Sequence, residues 1–360
     1  MIYSPKKRFI FESLLWGTQA HSPSGVQTSG ITQPPVLASA VERVARALPS
    51  AEAKVFIQDM FKTLMSYHEW IYRERDPQSS GLASCFHSWE SGMDDTPYWT
   101  EAMKSLPKPP VALRLVREYR PRRSDQRASP LEVQQGIMQA QLLRYLYYDS
   151  HQVMLHSSVV VQDLVFNCVL AAANESLTRL AEAVNLPIPS ALHQRFAQTR
   201  RAIEQLWDPR TGQYFSKNYL TNKLIKTPTI ATFMPLYAGT ASPSRAEFLR
   251  ELLVNNGGFN VPFPLPSVPT TSSQFQPVRY WRGPVWINMN WFAIIGLERY
   301  GFTEEADWLR AHTLGITQKS GYREYYQPLT GEGLGAKGFS WSAALALDLL
   351  ANSHVPPLRE

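Results

Sequence analysis

The chain of 360 residues is 44% hydrophobic and carries a formal charge of +6, enough length and apolar content to bury a substantial core. Much of the basic excess sits between Arg117 and Arg127 and reads as a solvated loop. No recognition-helix, zinc or RNA-binding signature accompanies it, so no nucleic-acid partner is expected, although cationic surface can steer an anionic small substrate. No run of 18 apolar residues occurs, so no membrane span or membrane partner is expected.

Two cysteines, Cys85 and Cys168, lack metal-ligand spacing and are too few for a disulfide framework. At the N-terminus Lys6-Lys7-Arg8 and Phe9-Ile10-Phe11 imitate a signal peptide, but Glu12 interrupts the apolar stretch and no clean cleavage site follows. A cytoplasmic protein is expected.

In chain order, Pro34 and Pro35 are placed to start a helix over 36–48, and a longer amphipathic helix is predicted over 51–75. Further helices are predicted near 131–149, 160–184, 190–207, 243–254, 284–300, 303–316 and 341–352, where apolar residues recur at three- and four-residue spacing. Pro284 is expected to begin the helix over 284–300. Between the helices, residues 77–99, 208–234, 257–283 and 321–340 form long loops rich in Gly, Pro, Ser, Thr and aromatics. Loops of that length in a compact domain are usually functional. Helices alternating with such loops point to a helical toroid with a site at one mouth.

Three of those loops hold the unusual chemistry. The first reads His87-Ser88-Trp89-Glu90-Ser91-Gly92-Met93-Asp94-Asp95. Gly92 permits a tight backbone path beside Asp94, and Trp89 and Trp99 could desolvate its carboxyl and raise its pKa, as a general acid near neutral pH requires. Asp95 competes for that role, and Asp94-Asp95-Thr96-Pro97 also reads simply as a helix N-cap before 97–105. The second loop, Gly321-Tyr322-Arg323-Glu324-Tyr325-Tyr326, offers a glutamate that could activate water. Glu332 competes with it from a Gly-rich turn, and either could be an ordinary surface glutamate. The third run, Tyr280-Trp281-Arg282-Gly283-Pro284-Val285-Trp286, precedes a helix in which Trp291 and Phe292 belong to the core.

Ten Trp and sixteen Tyr raise the aromatic share to 12%. Aromatic faces stack on sugar rings, although for most of these residues a place in the core is the plainer reading. No histidine cluster, phosphate-cradling glycine motif or dinucleotide fingerprint stands out. Two carboxyl groups among aromatics, without a cofactor or metal, suit glycoside hydrolysis, which needs one protonated and one ionised carboxyl about the scissile bond.

Taken together and in order, Thr32-Gln33-Pro34-Pro35-Val36, Trp89 to Asp95, Leu265-Pro266-Ser267-Val268, Tyr280 to Asn288 and Gly331 to Trp341 resemble glycoside hydrolase family 63. In particular they resemble its bacterial mannosylglycerate and glucosylglycerate hydrolases, over about residues 30–352. The resemblance implies an all-α (α/α)6 barrel spanning residues 1–360 as one domain, and inversion at the anomeric carbon without cofactor or metal. It implies Asp94 as general acid and Glu324 as general base, an inverting pair roughly 6.5–9.5 Å apart. It further implies that Gln33, Trp89, Gly92, Trp281 and Trp286 line the sugar subsite, with Tyr280 toward the leaving group.

Two departures bear on that expectation. Relatives begin with a helix pair carrying a Trp-x-Trp-Asp-Ser-like motif that has no counterpart here, and Phe11 to Gln19 resembles the end of their second helix. The barrel is therefore expected to lack part of its N-terminal helix pair and to expose an apolar seam. Gly338 stands where some glycerate-specific relatives carry Gln, which leaves the aglycone open. The leading expectation is an inverting α-glycosidase of a small glycoside such as glucosylglycerate or mannosylglycerate. The alternatives are a weakened or inactive sugar-binding remnant, and a sugar epimerase, against which the lack of a histidine pair counts. Oligomeric state is not legible.

Overall fold

The computed structural model describes residues 30–106, 124–255 and 257–351. The segment expected to lack part of the first helix pair, residues 1–29, lies outside these, as does most of the arginine-rich stretch. The described residues hold twelve α-helices: α1 (Leu37–Ala47), α2 (Ser50–Arg75), α3 (Pro97–Met103), α4 (Pro130–Tyr145), α5 (Ser150–His156), α6 (Leu164–Ala183), α7 (Ser190–Glu204), α8 (Met234–Tyr237), α9 (Pro243–Val254), α10 (Ile287–Arg299), α11 (Thr303–Ser320) and α12 (Ser340–Ala351).

Side-chain patterning sorts the helices into two layers. Helix α6 buries every residue from Leu164 to Asn174, and α10 buries Ile287 to Trp291 together with Ala293, Ile294, Gly296 and Leu297. A helix apolar all round belongs inside. Helices α7 and α11 bury single stripes, Leu192, Phe196, Thr199, Ala202 and Ile203 in one and Ala306, Leu309, Thr313, Ile316 and Thr317 in the other, as outer helices do. Along the inner layer α1, α6, α8, α10 and α12 contact one another in succession, and α2, α7 and α11 pack outside α1, α6 and α10. Helix α6 contributes to both major apolar clusters and so joins the two halves of the core.

Several boundaries differ from expectation for physical reasons. The predicted helix over 131–149 is two: α4 and α5 are separated by Tyr147 and Tyr148, both left-handed with φ of 56°. Pro284 does not begin α10. Residues 284 and 285 are drawn into extended pairing, with Val285 exchanging both backbone hydrogen bonds with Tyr326, at 2.8 and 3.0 Å, and Pro284 accepting from Ser267 at 3.0 Å. The helix starts only after Trp286. Neither Asp94 nor Asp95 caps α3, whose N-cap is Thr96.

Helix α10 approaches α8 through Gly296. A Cβ there would lie 2.7 Å from both Leu236 Cβ and Tyr237 N, a backbone-level collision. Gly296→Ala should therefore cost about 1–3 kcal/mol, read as a lowered urea midpoint with an unchanged slope.

Candidate active site

The first loop is built around a buried ion pair. Arg75, the last residue of α2, donates to both Glu90 carboxylate oxygens at 2.7 and 3.1 Å, and the backbone N–H groups of Thr32 and Phe86 donate to the same carboxylate at 3.1 and 2.6 Å. After a 3-10 turn over Ser88–Ser91, Gly92 adopts φ 73° and reverses the chain toward Asp94. Ser91 Oγ accepts from Trp99 Nε1 and from Met93 N, both at 3.0 Å, so the buried Trp99 supports the loop from beneath. His87 donates from Nε2 to Gly136 O at 2.9 Å and accepts from Trp89 N at Nδ1, with Trp89 packed on its ring at 4.4 Å. Burial lowers its pKa, so the imidazole is a neutral strut. Gln33, predicted in the sugar subsite, is exposed and donates to Trp89 O at 2.7 Å.

The two adjacent aspartates part company. Arg279 grips both oxygens of Asp95 at 2.9 Å, and Arg282 adds a longer contact at 3.4 Å. Asp94 has no ion pair among the described residues. Packed protein atoms around its carboxyl, followed by the neighbouring Asp95 charge, push its pKa up to about 7. That value suits a group that must hold a proton near neutrality and then release it.

Glu324 sits in a β-hairpin, β6 (Arg323–Tyr326) with β7 (Gly333–Lys337), inside what the sequence presents only as a loop. Arg323 pairs with Lys337 and Tyr325 with Leu334, so Gly335 and Ala336 oppose the single residue Glu324. This is a β-bulge, a device that re-aims a side chain. Gly335 is left-handed at φ 64°, and a Cβ on it would collide with Glu324 Oε2. Ala336 N donates to that same oxygen at 3.0 Å. Arg127 forks the carboxylate at 2.8 and 3.3 Å and lies over the rings of Tyr280, at 4.6 Å, and Tyr325, at 5.8 Å. The expectation that this arginine lies in a solvated loop is therefore corrected: its guanidinium is half-buried at the site. Glu332, the competing glutamate, is exposed in the turn of the hairpin.

Aromatic rings close the third side. Trp281 and Trp286 stack at 3.8 Å with 3° between their planes, and Trp286 stacks on Tyr325 at 4.9 Å. Tyr280 meets Trp286 and Tyr325 edge-on at 5.2 and 5.5 Å, and its carbonyl accepts from Trp286 Nε1 at 3.0 Å. Trp281 and Trp286 are 1% and 3% exposed, so they present an edge and a backing layer to the site more than an open platform. Burial, then the charges of Asp94 and Glu324, raise the Tyr280 pKa, which puts this phenol within the field of both carboxyls. The aromatic loop thus lies beside the predicted pair, with Gln33, Trp89 and Gly92 shaping the Asp94 loop.

Sequence reasoning misses Arg127, Gly335 and the ion partners of Asp95. Gly335 carries the only local signal, in the spacing Gly333-Leu334-Gly335. Gly335→Ala should displace the Glu324 carboxylate by around an ångström, and hydrolytic kcat should fall by about a hundredfold with little change in far-ultraviolet circular dichroism.

Comparison with known proteins establishes the family. Residues 2–342 match the family model for the mannosylglycerate hydrolase MGH1-like glycoside hydrolase domain. The chain is 39% identical over 337 residues to the mannosylglycerate hydrolase of Thermus thermophilus, covering 92% of this chain and 80% of that protein. It is 31% identical over 358 residues to the glucosylglycerate hydrolase of Mycolicibacterium hassiacum, covering 93% and 79%. The crystal structure of a GH63 mannosylglycerate hydrolase from Thermus thermophilus, in complex with Tris and D-glycerate, superposes with a TM-score of 0.87 at 36% identity, over 98% of this chain and 83% of that one. The two-layered helical toroid is the (α/α)6 barrel of family 63, and the chain belongs to the MGH1-like glycoside hydrolases.

Proposed function

We propose that this glycoside hydrolase cleaves a small α-glycoside of an anionic aglycone, mannosylglycerate or glucosylglycerate, with inversion. Asp94 protonates the leaving glycosidic oxygen, and Glu324 takes a proton from the water that attacks the anomeric carbon. The observation that carries this reading is the contrast between the two carboxyls: Asp94 is held at about 7 by burial, while Glu324 is a carboxylate met by a guanidinium and a backbone N–H. Tyr280, Trp281 and Trp286 form the wall that orients the sugar, and Gln33, Trp89 and Gly92 shape the side that carries the acid. The choice of an anionic aglycone is supported by the relatives, which are a mannosylglycerate and a glucosylglycerate hydrolase. The two thiols, buried and unpaired, support a reducing compartment, and we assign the reaction to the cytosol.

Purified protein should release the β-anomer of the free sugar from mannosylglycerate or glucosylglycerate, seen by proton NMR in the first minutes. Asp94→Ala or Glu324→Ala should lower kcat at least a thousandfold with the circular dichroism spectrum retained. Retained turnover in either variant, or first release of the α-anomer, would overturn the assignment.

The raised pKa of Asp94 also fixes a direction with pH. An acid must be protonated to act, so kcat/KM should fall about tenfold per unit as pH rises beyond about 7. Stability follows the same group. Its folded-state pKa lies above the unfolded value near 4, so the stabilisation from holding the proton is complete below that value and is lost as pH climbs toward 7. Asp94→Asn, which cannot ionise, should melt increasingly above the wild type between pH 4 and 7; a constant offset across that range would contradict the raised pKa.

A further inference from the structure

Asp95, Arg279, Arg282 and Glu132 form a closed ionic quartet just behind the proposed acid. Arg279 bonds both Asp95 and Glu132, and Arg282 does the same, at 3.4 and 2.6 Å. Their side chains are no more than 13% exposed. Two carboxylates and two guanidiniums balance, so no net charge is buried. Thr100 of α3 completes the cluster, accepting from Arg282 at 2.6 Å and donating to Glu132 at 3.2 Å.

What matters is where each member sits in the chain. Asp95 follows the proposed acid directly. Arg279 and Arg282 bracket Tyr280 and Trp281. Glu132 closes the capping box of α4, accepting from Ser129 N at 2.8 Å and Ser129 Oγ at 2.6 Å. Ser129 lies two residues after Arg127, which forks Glu324. A path therefore runs from Asp94 to its chain neighbour Asp95, through either arginine to Glu132 and Ser129, and along two residues of backbone to Arg127, which forks Glu324. Surface neutralisation would not need this arrangement, because the partners come from different segments of the site and are withdrawn from solvent.

We propose that this quartet is a positioning device for catalysis, a neutral clasp that sets the spacing between acid and base and holds the aromatic wall against both. The proposal rests on the Asp94 and Glu324 reading. Its members touch neither reacting atom; they act through Asp94, Tyr280 and Arg127. Spacing matters because an inverting pair must leave room for one water, and a misplacement of an ångström costs about a hundredfold in rate. A lone buried pair would be a weaker device, since loss of one partner strands the other, whereas each arginine here spans both acids.

The test separates positioning from general stability. Glu132→Gln and Arg282→Gln should each lower kcat on mannosylglycerate or glucosylglycerate at least tenfold, with KM changed less than threefold. The double variant, again neutral, should be no slower than the slower single one. Glu42→Gln is the control, because Glu42 is equally buried and forked by Arg179 at 2.5 and 2.8 Å within the barrel. It should lower the melting temperature yet leave kcat within twofold. If Glu132→Gln fails to fold, Thr100→Val keeps all four charges and should still lower kcat about threefold at constant KM. A kcat within twofold of wild type in Glu132→Gln, or in Thr100→Val where it must serve, overturns the proposal, as do losses that multiply in the double variant. Such a result beside an inactive Asp94→Ala would sink the clasp alone, whereas an active Asp94→Ala would sink the functional reading itself.

Discussion

The rest of the site depends on the buried Arg75–Glu90 pair. Glu90 is fully buried, and its carboxylate receives four donors: two from Arg75 and one each from Thr32 N and Phe86 N. Arg75 in turn lies over the Phe86 ring at 4.1 Å and donates to Gly30 O at 3.3 Å. One ion pair therefore ties the end of α2, the segment leading into α1 and the start of the Asp94 loop. Burying two charges is costly unless their remaining bonding capacity is filled. Here the backbone of two other segments fills it, so the chain can satisfy Glu90 only by adopting the loop path that delivers Asp94. Fold and site are coupled at this carboxylate.

A second constraint explains why similar acids do different work. Asp94, Asp95 and Asp163 all lie in or beneath one loop layer. Asp163 is fully buried and its pKa is raised to about 6 by burial, but Phe166 N at 2.9 Å and Tyr98 Oη at 2.7 Å donate to it at the N-terminus of α6. It is a structural cap. Asp95 is gripped by guanidinium groups. Of the three, Asp94 alone has neither a guanidinium nor a tyrosine donor among the described residues, and with its pKa raised by desolvation that leaves a carboxyl free to exchange its proton with a substrate. Chemical role follows from the donors each acid meets, not from its position along the chain.

The extent to which the sequence can be read follows the range of the interactions. Helices α2, α6 and α9 are legible because their order comes from residues three and four apart. Helix α9, opened by Pro243 and closed at Val254, matches its expected span to the residue. The hairpin that holds Glu324 is not legible, because its bulge is set by Gly335 on the opposite strand, and glycine at both Gly333 and Gly335 hides the strand pattern. Pro284 misleads for a related reason: its local preference for a helix start yields to pairing with Ser267 and Tyr326, far away in the chain. Arg127 has no local signal at all, since a guanidinium reads the same in a solvated loop as over two tyrosine rings. The expected pair Asp94 and Glu324, and the aromatic run from Tyr280 to Trp286, are legible through resemblance of motifs, which spacing alone would not supply.

The distribution of charge shows how a barrel can support such a site without disturbing it. Helix α6 begins at the site, where Asn167 bonds both N–H and C=O of Ala83 at 2.8 and 2.9 Å. Eight residues further, about 12 Å along the helix, Glu175 meets Arg200 and Arg299, and Arg179 beyond it forks Glu42. Helix α10 repeats the pattern, entering beside the aromatic wall after Trp286 and ending at Arg299 in that same cluster. The inner helices thus carry neutral or apolar side chains where they approach the proposed acid and base, and gather their ion pairs one turn or more away. Coulombic interaction weakens with distance and solvent, so these distal pairs can fasten inner to outer helices while leaving the Asp94 pKa to its own neighbours. Among the described residues, the charges brought close to the site are the Asp95 quartet and the Arg127–Glu324 pair, and in each the two signs cancel.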